Sequence, residues 1–348
     1  GIITEELNED QDMSSSSGGT TTKKKLISSS SSYLGESWST RKERIRNSSK
    51  YGHLENWDLF SVIAKSGDDL RQEAFACQII LAISNMWLDS KLELWLKRMK
   101  ILITSPTTGL VETITDAVSV HSIKKALSLQ MVADGTISKE VVTTKNSQGE
   151  TVGYVATLKD HFGYCFGSEN SYAYKKAQYN FATSLAGYSL ICYILQIKDR
   201  HNGNIMIDNE GHLVHIDFGF MLSNSPGSVG FEAAPFKLTF EYVDVLGGLE
   251  GEAFLKFKEL LRDGFKVLRK NYEQIVSMCE IMQKESLQPC FQLGEQTSIQ
   301  LKQRFALHLS SEEEVDRFVE DYLIGRSLGS MYTRIYDQFQ LVTQGIYS

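Results

Sequence analysis

The chain has 348 residues, 42% of them hydrophobic, enough for one large domain or two packed lobes. A net charge of -7 and an isoelectric point near 5.6 weigh against a nucleic-acid binder, which needs a basic surface to meet phosphates. Five cysteines without C-x-x-C pairing point to reduced thiols in cytosol or nucleus. With no signal segment after Gly1 and no apolar run of the ~20 residues a spanning helix needs, membrane contact is expected to be peripheral.

Residues 1–32 read as a disordered linker, the tail of an insertion in a longer protein: an acidic run at Asn8–Asp12, then Ser, Thr, Gly and Lys tracts. A basic helix follows, with Arg41, Lys42, Arg44 and Arg46 near Trp38. Order begins near Trp57, where period-2 alternation through Leu59, Ile63 and Lys65 predicts a strand. Gly67-Asp68-Asp69 gives a turn and an acidic helix start, and the helix continues through Phe75, Ile79, Ile80 and Ile83. A strand over 100–104, a turn at 106–109, a short strand over 110–112 and a helix over about 118–131 come next. Residues 132–170 read as a variable surface excursion. Apolar spacing predicts a helix over 172–197, then helices over about 250–285, 296–307, 311–324 and 328–344. Strands early and helices late predict an α+β fold. It has a small mixed-sheet N-lobe over 51–112 and a larger, mainly helical C-lobe over 113–348, preceded by linker and basic helix over 1–50.

The chemistry concentrates at 198–219. The middle of that stretch reads as a β-hairpin with Gly211 in its turn. A two-residue loop at Glu210-Gly211 would pair Asn204 with Asp217; a longer loop shifts the register but keeps both near one ion. An amide oxygen beside a carboxylate suits a divalent cation carrying nucleotide phosphates. Asp199 and His201 stand on the loop entering the hairpin. One could orient or deprotonate an attacking hydroxyl and the other stabilise charge on the moving phosphoryl group; spacing leaves open which does which. Singly, each residue is more often structural; the joint pattern argues otherwise. Lys65, at a strand end, is placed to reach phosphates, held by Asp68 or Glu73.

The segments K-S-G-D-D-L-R-Q-E (65–73), D-R-H-N-G-N (199–204) and H-I-D-F-G (215–219) resemble the phosphoinositide 3-/4-kinase superfamily. Protein kinases of the common type order the loop as H-R-D instead. Further stretches at 56–65, 111–125, 225–239 and 336–346 are similar to type III beta phosphatidylinositol 4-kinases, the fungal form in particular. The resemblance implies a kinase-like fold with ATP and Mg²⁺ (or Mn²⁺) as cofactors. It casts Lys65 as the phosphate-contacting lysine and Asp199 and His201 as the catalytic-loop pair, with Asn204 and Asp217 as metal ligands. The hinge would be Glu112 to Ile114, Val111 the rear wall of the adenine pocket, and Met206 and Ile216 its floor. Residues 217–241 would be the activation loop. Such enzymes carry a phosphate-covering loop upstream of the lysine strand. Nothing in 1–50 reads as one, so the N-lobe is expected to be incomplete, and the chain's independent activity depends on that roof. Met99 stands where relatives carry a tyrosine.

Between Phe220 and Thr239 the only basic residue is Lys237. A headgroup already bearing extra phosphates needs several cations, so one lysine points to unphosphorylated phosphatidylinositol; the resemblance selects its 4-hydroxyl. The resemblance also implies a frequenin-like calcium sensor, bound upstream of this chain, and small GTPases at Golgi membranes; the reduced cysteines leave a nuclear location open as well. Ile335, Phe339, Leu341, Val342 and Ile346 would form a terminal helix lying on a membrane or on the larger lobe. The alternatives are a serine/threonine protein kinase of the related large-kinase family and a non-catalytic kinase-fold scaffold.

Overall fold

A computed structural model describes residues 35–136, 144–145, 151–152, 156–225, 234–330, 337, 344 and 346. The linker expected over 1–32 and most of the terminal helix lie outside them. In chain order the elements are α1 (Trp38–Ser48), β1 (Val62–Ser66), α2 (Arg71–Asp89), β2 (Ile101–Ser105), β3 (Thr108–Glu112), β4 (Ala117–Ser119) and α3 (Val120–Ala133). Then come β5 (Thr144–Lys145), β6 (Thr151–Val152), α4 (Leu158–Phe166), α5 (Tyr172–Leu195), β7 (Ile205–Asp208), β8 (Leu213–His215) and α6 (Phe240–Val245). The remainder is α7 (Glu252–Lys270), α8 (Tyr272–Gln283), α9 (Gln296–Gln303), α10 (Glu312–Arg317), a π-helical stretch (Phe318–Ile324) and α11 (Gly325–Ser327). The fold is α+β, as expected.

The first sheet has the order β1-β3-β2, all antiparallel. Lys65 pairs with Gly109 and Ile63 with Val111, so these four side-chain positions share one face. β1 starts at Val62, not at Leu59, because its partner β3 ends opposite it at Glu112. The opposite face is wet, with Val62 51% and Leu102 61% exposed, and Ile63 on the Lys65 face is 51% exposed as well. α2 packs on β2 but also on α7 and α8, and the Trp87 indole donates to the Gly264 carbonyl at 3.1 Å. It is therefore the rigid link between sheet and helices. Asp68 and Asp69 precede the helix instead of opening it, since the Asp69 carboxylate is turned onto the Arg71 amide and guanidinium.

The second sheet, β4-β7-β8, carries the hairpin. Ile205 pairs with His215, Met206 with Val214 and Ile207 with Leu213, one register step from the two-residue-loop reading. The cause is a longer loop: the Asp208 carboxylate accepts from the amides of Glu210 and His212 and from the His212 ring, spreading the turn over five residues. Gly211 has φ 91°, and a Cβ there would lie 2.9 Å from Ala177, so only glycine fits. β4 takes the residues expected to open the 118–131 helix, because Ala117–Ser119 pair with Met206–Asp208.

α5 is the core helix, buried almost throughout from Phe181 onward and packed most extensively on α7. Cys192 is buried in it, as expected of a small core residue. The surface excursion expected over 132–170 contains α4, which opens on a Thr157–Asp160 capping box and buries Leu158, His161 and Phe162. Phe162 meets Phe181 edge-on at 5.6 Å, so this segment is partly core. The helix expected over 250–285 breaks at Asn271 into α7 and α8, and the expected activation loop ends inside α6, whose cap is Thr239.

Candidate active site

The site assembles where α2 meets the 198–219 segment. Lys65, next to last in β1, places its Nζ 3.7 Å from Glu73 Oε2. Of the two carboxylates that could hold the lysine, Asp68 is exposed and Glu73 is the partner. Burial pushes the Glu73 carboxyl above its usual range, Lys65 opposes that, and the negative charge of Asp217 adds to it. Lys65, Glu73 and Asp217 thus form one electrostatic neighbourhood.

Gln72 fixes α2 to the Asp-Phe-Gly segment. Its amide nitrogen donates to the carbonyls of Phe218 at 3.1 Å and Gly219 at 2.6 Å, and its oxygen accepts from the Cys290 amide at 3.1 Å. Sequence reasoning gave Gln72 no role. The available signal was a polar residue on the same helix face as Phe75, Ala76 and Ile79, where water is excluded.

Asp199 and Asp217 both hold left-handed backbone, with φ of 64° and 61°. Aspartate tolerates that region better than most residues, and each such residue stores strain of about 1 kcal/mol or more. Buried Arg200 secures the pair, donating to the carbonyls of Lys198 at 3.0 Å, Ile216 at 2.7 Å and Asp217. Asn204 donates its side-chain nitrogen to the Asp199 carbonyl at 3.1 Å. That anchor directs its amide oxygen the other way. The Asn204 carbonyl accepts from the Ile216 amide at 3.1 Å, so Asn204 stands opposite Ile216 across the hairpin mouth, one residue short of the expected partner Asp217. Asp217 uses Oδ1 to accept from the Gly219 amide at 3.2 Å.

His201 Nδ1 accepts from the Gly203 amide at 3.0 Å. A backbone N–H only donates, so the neutral ring carries its proton on Nε2, which lies 3.9 Å from Asp199 Oδ1. Burial lowers the His201 pKa, with Asp199 acting against it. The imidazole is therefore neutral at neutral pH.

The donor set fits a hard cation that brings most of its own ligands. One amide oxygen and one carboxylate flank the hairpin mouth. Among the described residues there is no cluster of three or more His, Cys, Asp or Glu able to cage a metal alone. Magnesium in nucleotide sites is held in this way, by one or two protein oxygens plus phosphates and water.

Of the residues expected around adenine, Val111 is buried, while Ile114, Met206, Ile216 and the rear residue Met99 are half-buried against the core. At the hinge, the Glu112 amide donates to the Lys100 carbonyl and the Thr113 amide to the Ser61 carbonyl. The Glu112 carboxylate accepts from the Lys100 amide at 3.1 Å. Two hinge N–H groups are thus engaged in the sheet.

Lys237 departs from expectation. Neither a solvated loop charge nor an open headgroup contact, its amine is buried and donates to Asn202 Oδ1 at 3.1 Å and Asp337 Oδ1 at 2.7 Å. The physical reason is charge matching: a carboxylate and an amide oxygen draw it inward.

A family model described as phosphatidylinositol 3- and 4-kinase matches residues 59–293. The Saccharomyces cerevisiae protein named phosphatidylinositol 4-kinase PIK1 is 68% identical over 317 residues, 91% of this chain and 28% of that protein. Phosphatidylinositol 4-kinase pik1 of Schizosaccharomyces pombe is 52% identical over 312 residues, 90% of this chain and 35% of its own length. Phosphatidylinositol 4-kinase beta of Callithrix jacchus is 43% identical over 313 residues, with the same coverage on both sides. The chain spans about a third of the length of these relatives.

Proposed function

The chain belongs to the phosphatidylinositol 3- and 4-kinase family, and from that premise we propose that it is the catalytic part of a lipid kinase. The reaction would move the γ-phosphate of ATP to the 4-hydroxyl of phosphatidylinositol. One observation carries the reading: the helix whose Glu73 holds Lys65 at 3.7 Å is bonded through Gln72 to Phe218 and Gly219, joining the lysine strand to the Asp-Phe-Gly segment.

In this reading Lys65 meets the nucleotide phosphates and Glu73 keeps its amine in place. Asn204 and Asp217 hold Mg²⁺ (or Mn²⁺). The metal, when bound, neutralises the phosphate charge that would otherwise repel an incoming oxygen. Asp199 is the proton acceptor for the lipid hydroxyl. His201, neutral and protonated on Nε2, is a donor that steadies charge on the transferred group. Val111, Met206 and Ile216 line the base, and the backbone at Glu112 to Ile114 borders it.

The relatives' names support phosphatidylinositol as substrate and its 4-hydroxyl as acceptor. No helix among the described residues is long and apolar enough to cross a membrane, which is compatible with peripheral binding. A Golgi location, a frequenin-like calcium sensor bound outside this chain and small GTPase partners belong to the same proposal.

The test is turnover of Mg-ATP on phosphatidylinositol vesicles by the full-length protein, with chromatographic separation of the lipid product. Phosphate should appear on the 4-hydroxyl, and Asp217→Ala should cut the rate by at least ~10²-fold. An Asp217→Ala protein with near-normal turnover would falsify the assignment.

A further inference from the structure

The catalytic loop is held from three sides, and one of them is distant in sequence. The His121 amide, at the start of α3, donates to the Asn202 carbonyl at 3.1 Å. Arg200 ties the loop to Ile216 and Asp217. The third hold is Lys237, whose amine bridges Asn202 Oδ1 and Asp337 Oδ1. Asn202 follows His201 directly and precedes Asn204 by two residues, so its anchor sits within the loop that carries both.

Burial makes this bridge consequential. Asn202 is 4% and Lys237 9% exposed, and the Asp337 side chain is 13% exposed. Where water is excluded, removing one charge leaves the other unpaired, and removing Lys237 also takes a donor from the Asn202 oxygen. A second contact joins the same terminal segment to the same loop. The Ile346 Cδ1 lies 3.8 Å from where a Gly203 Cβ would stand, beside the His201 ring. Asp337 and Ile346 therefore both bear on the loop, one by charge and one by packing.

We propose that Lys237 and Asp337 are a positioning pair that sets the catalytic loop for phosphoryl transfer through Asn202. The inference rests on the lipid-kinase reading above. Neither residue touches the reacting atoms. Lys237 acts through Asn202, and Asp337 acts through Lys237.

Lys237→Met, Lys237→Arg, Asp337→Asn and Asn202→Ala are made in the full-length protein and assayed with Mg-ATP on phosphatidylinositol vesicles. Lys237→Met should lower kcat about 10-fold or more while KM for ATP and for lipid stay within about twofold, because misplaced groups slow chemistry more than binding. Lys237→Arg should recover most of that loss, and Asn202→Ala should add little in the Lys237→Met background. Unchanged kcat with a raised lipid KM would overturn the proposal in favour of headgroup contact. A lowered melting temperature with unchanged kcat would overturn it in favour of a purely structural role, and so would losses that multiply. If Lys237→Met does not fold, Asp337→Asn, which keeps shape and an acceptor, decides by the same kcat criterion. Asp217→Ala runs in parallel. An inactive Asp217→Ala beside a fully active Lys237→Met defeats only this inference, whereas an active Asp217→Ala defeats the kinase reading itself.

Discussion

Gln72 holds Gly219: the side-chain amide donates to that carbonyl at 2.6 Å, from a helix 147 residues earlier in the chain. Its oxygen meanwhile accepts from Cys290. Replacing Gln72 with leucine keeps the volume but takes the partner from the Phe218 carbonyl and the Cys290 amide in the core, while the Gly219 carbonyl keeps only its bond from Asn224. The expected loss is about 1–3 kcal/mol of stability, read by urea unfolding. Turnover should fall by about 10-fold or more, because the Asp-Phe-Gly segment loses its fixed place.

The Lys65–Glu73 pair predicts non-additivity. Glu73→Gln keeps the shape but leaves Lys65 without its counter-charge, and should lower kcat/KM for ATP by about 10-fold. Lys65→Met should cost at least as much. If the carboxylate works through the lysine, the double variant loses no more than Lys65→Met alone. A steady-state double-mutant cycle reads this directly; independent losses would show that the two act separately.

Phe162 tests whether α4 is core. Phe162→Ala removes a fully buried ring stacked edge-on against Phe181 and should cost about 3–5 kcal/mol in chemical denaturation. A surface excursion would tolerate the change with a loss near zero.

Acid should destabilise the fold through its buried histidines. Burial lowers the His161 imidazole to about 4, from an ordinary 6.5, and His215, stacked on Tyr188, is lowered in the same direction. Below about 6.5 the unfolded chain takes up protons that the folded chain refuses. Stability from these rings is intact above that pH and declines as pH falls toward 4. The melting temperature should drop between pH 7 and pH 5, and less steeply in His161→Gln.

Much of this site was legible before any coordinates. Lys65 showed itself by strand alternation ending at a glycine turn, and the hairpin by apolar runs around Gly211. What escaped had physical causes. β4 is three residues long, too short to display a period, and exists only because β7 offers it an edge. α4 lies within a polar stretch whose composition masked Leu158 and Phe162. The hairpin register turned on the Asp208 carboxylate capping its own loop, a local bond that alternation does not record. Lys237 was assigned to the headgroup because it is the one basic residue between Phe220 and Thr239, and the structure instead buries its amine against Asn202 and Asp337. Its partner Asp337 stands 100 residues away, and no local pattern announces so distant an ion pair.

The wet side of the β1-β3-β2 sheet has a practical outcome for anyone purifying this chain. Val62 at 51% and Leu102 at 61% exposure, with Phe60 at 81% just before β1, give the two outer strands a greasy margin with backbone groups ready to pair. At high concentration, copies of the chain by itself should stick strand to strand, giving soluble oligomers and then precipitate. Charged replacements at Val62 and Leu102 should delay that clumping and leave the buried interior as it is.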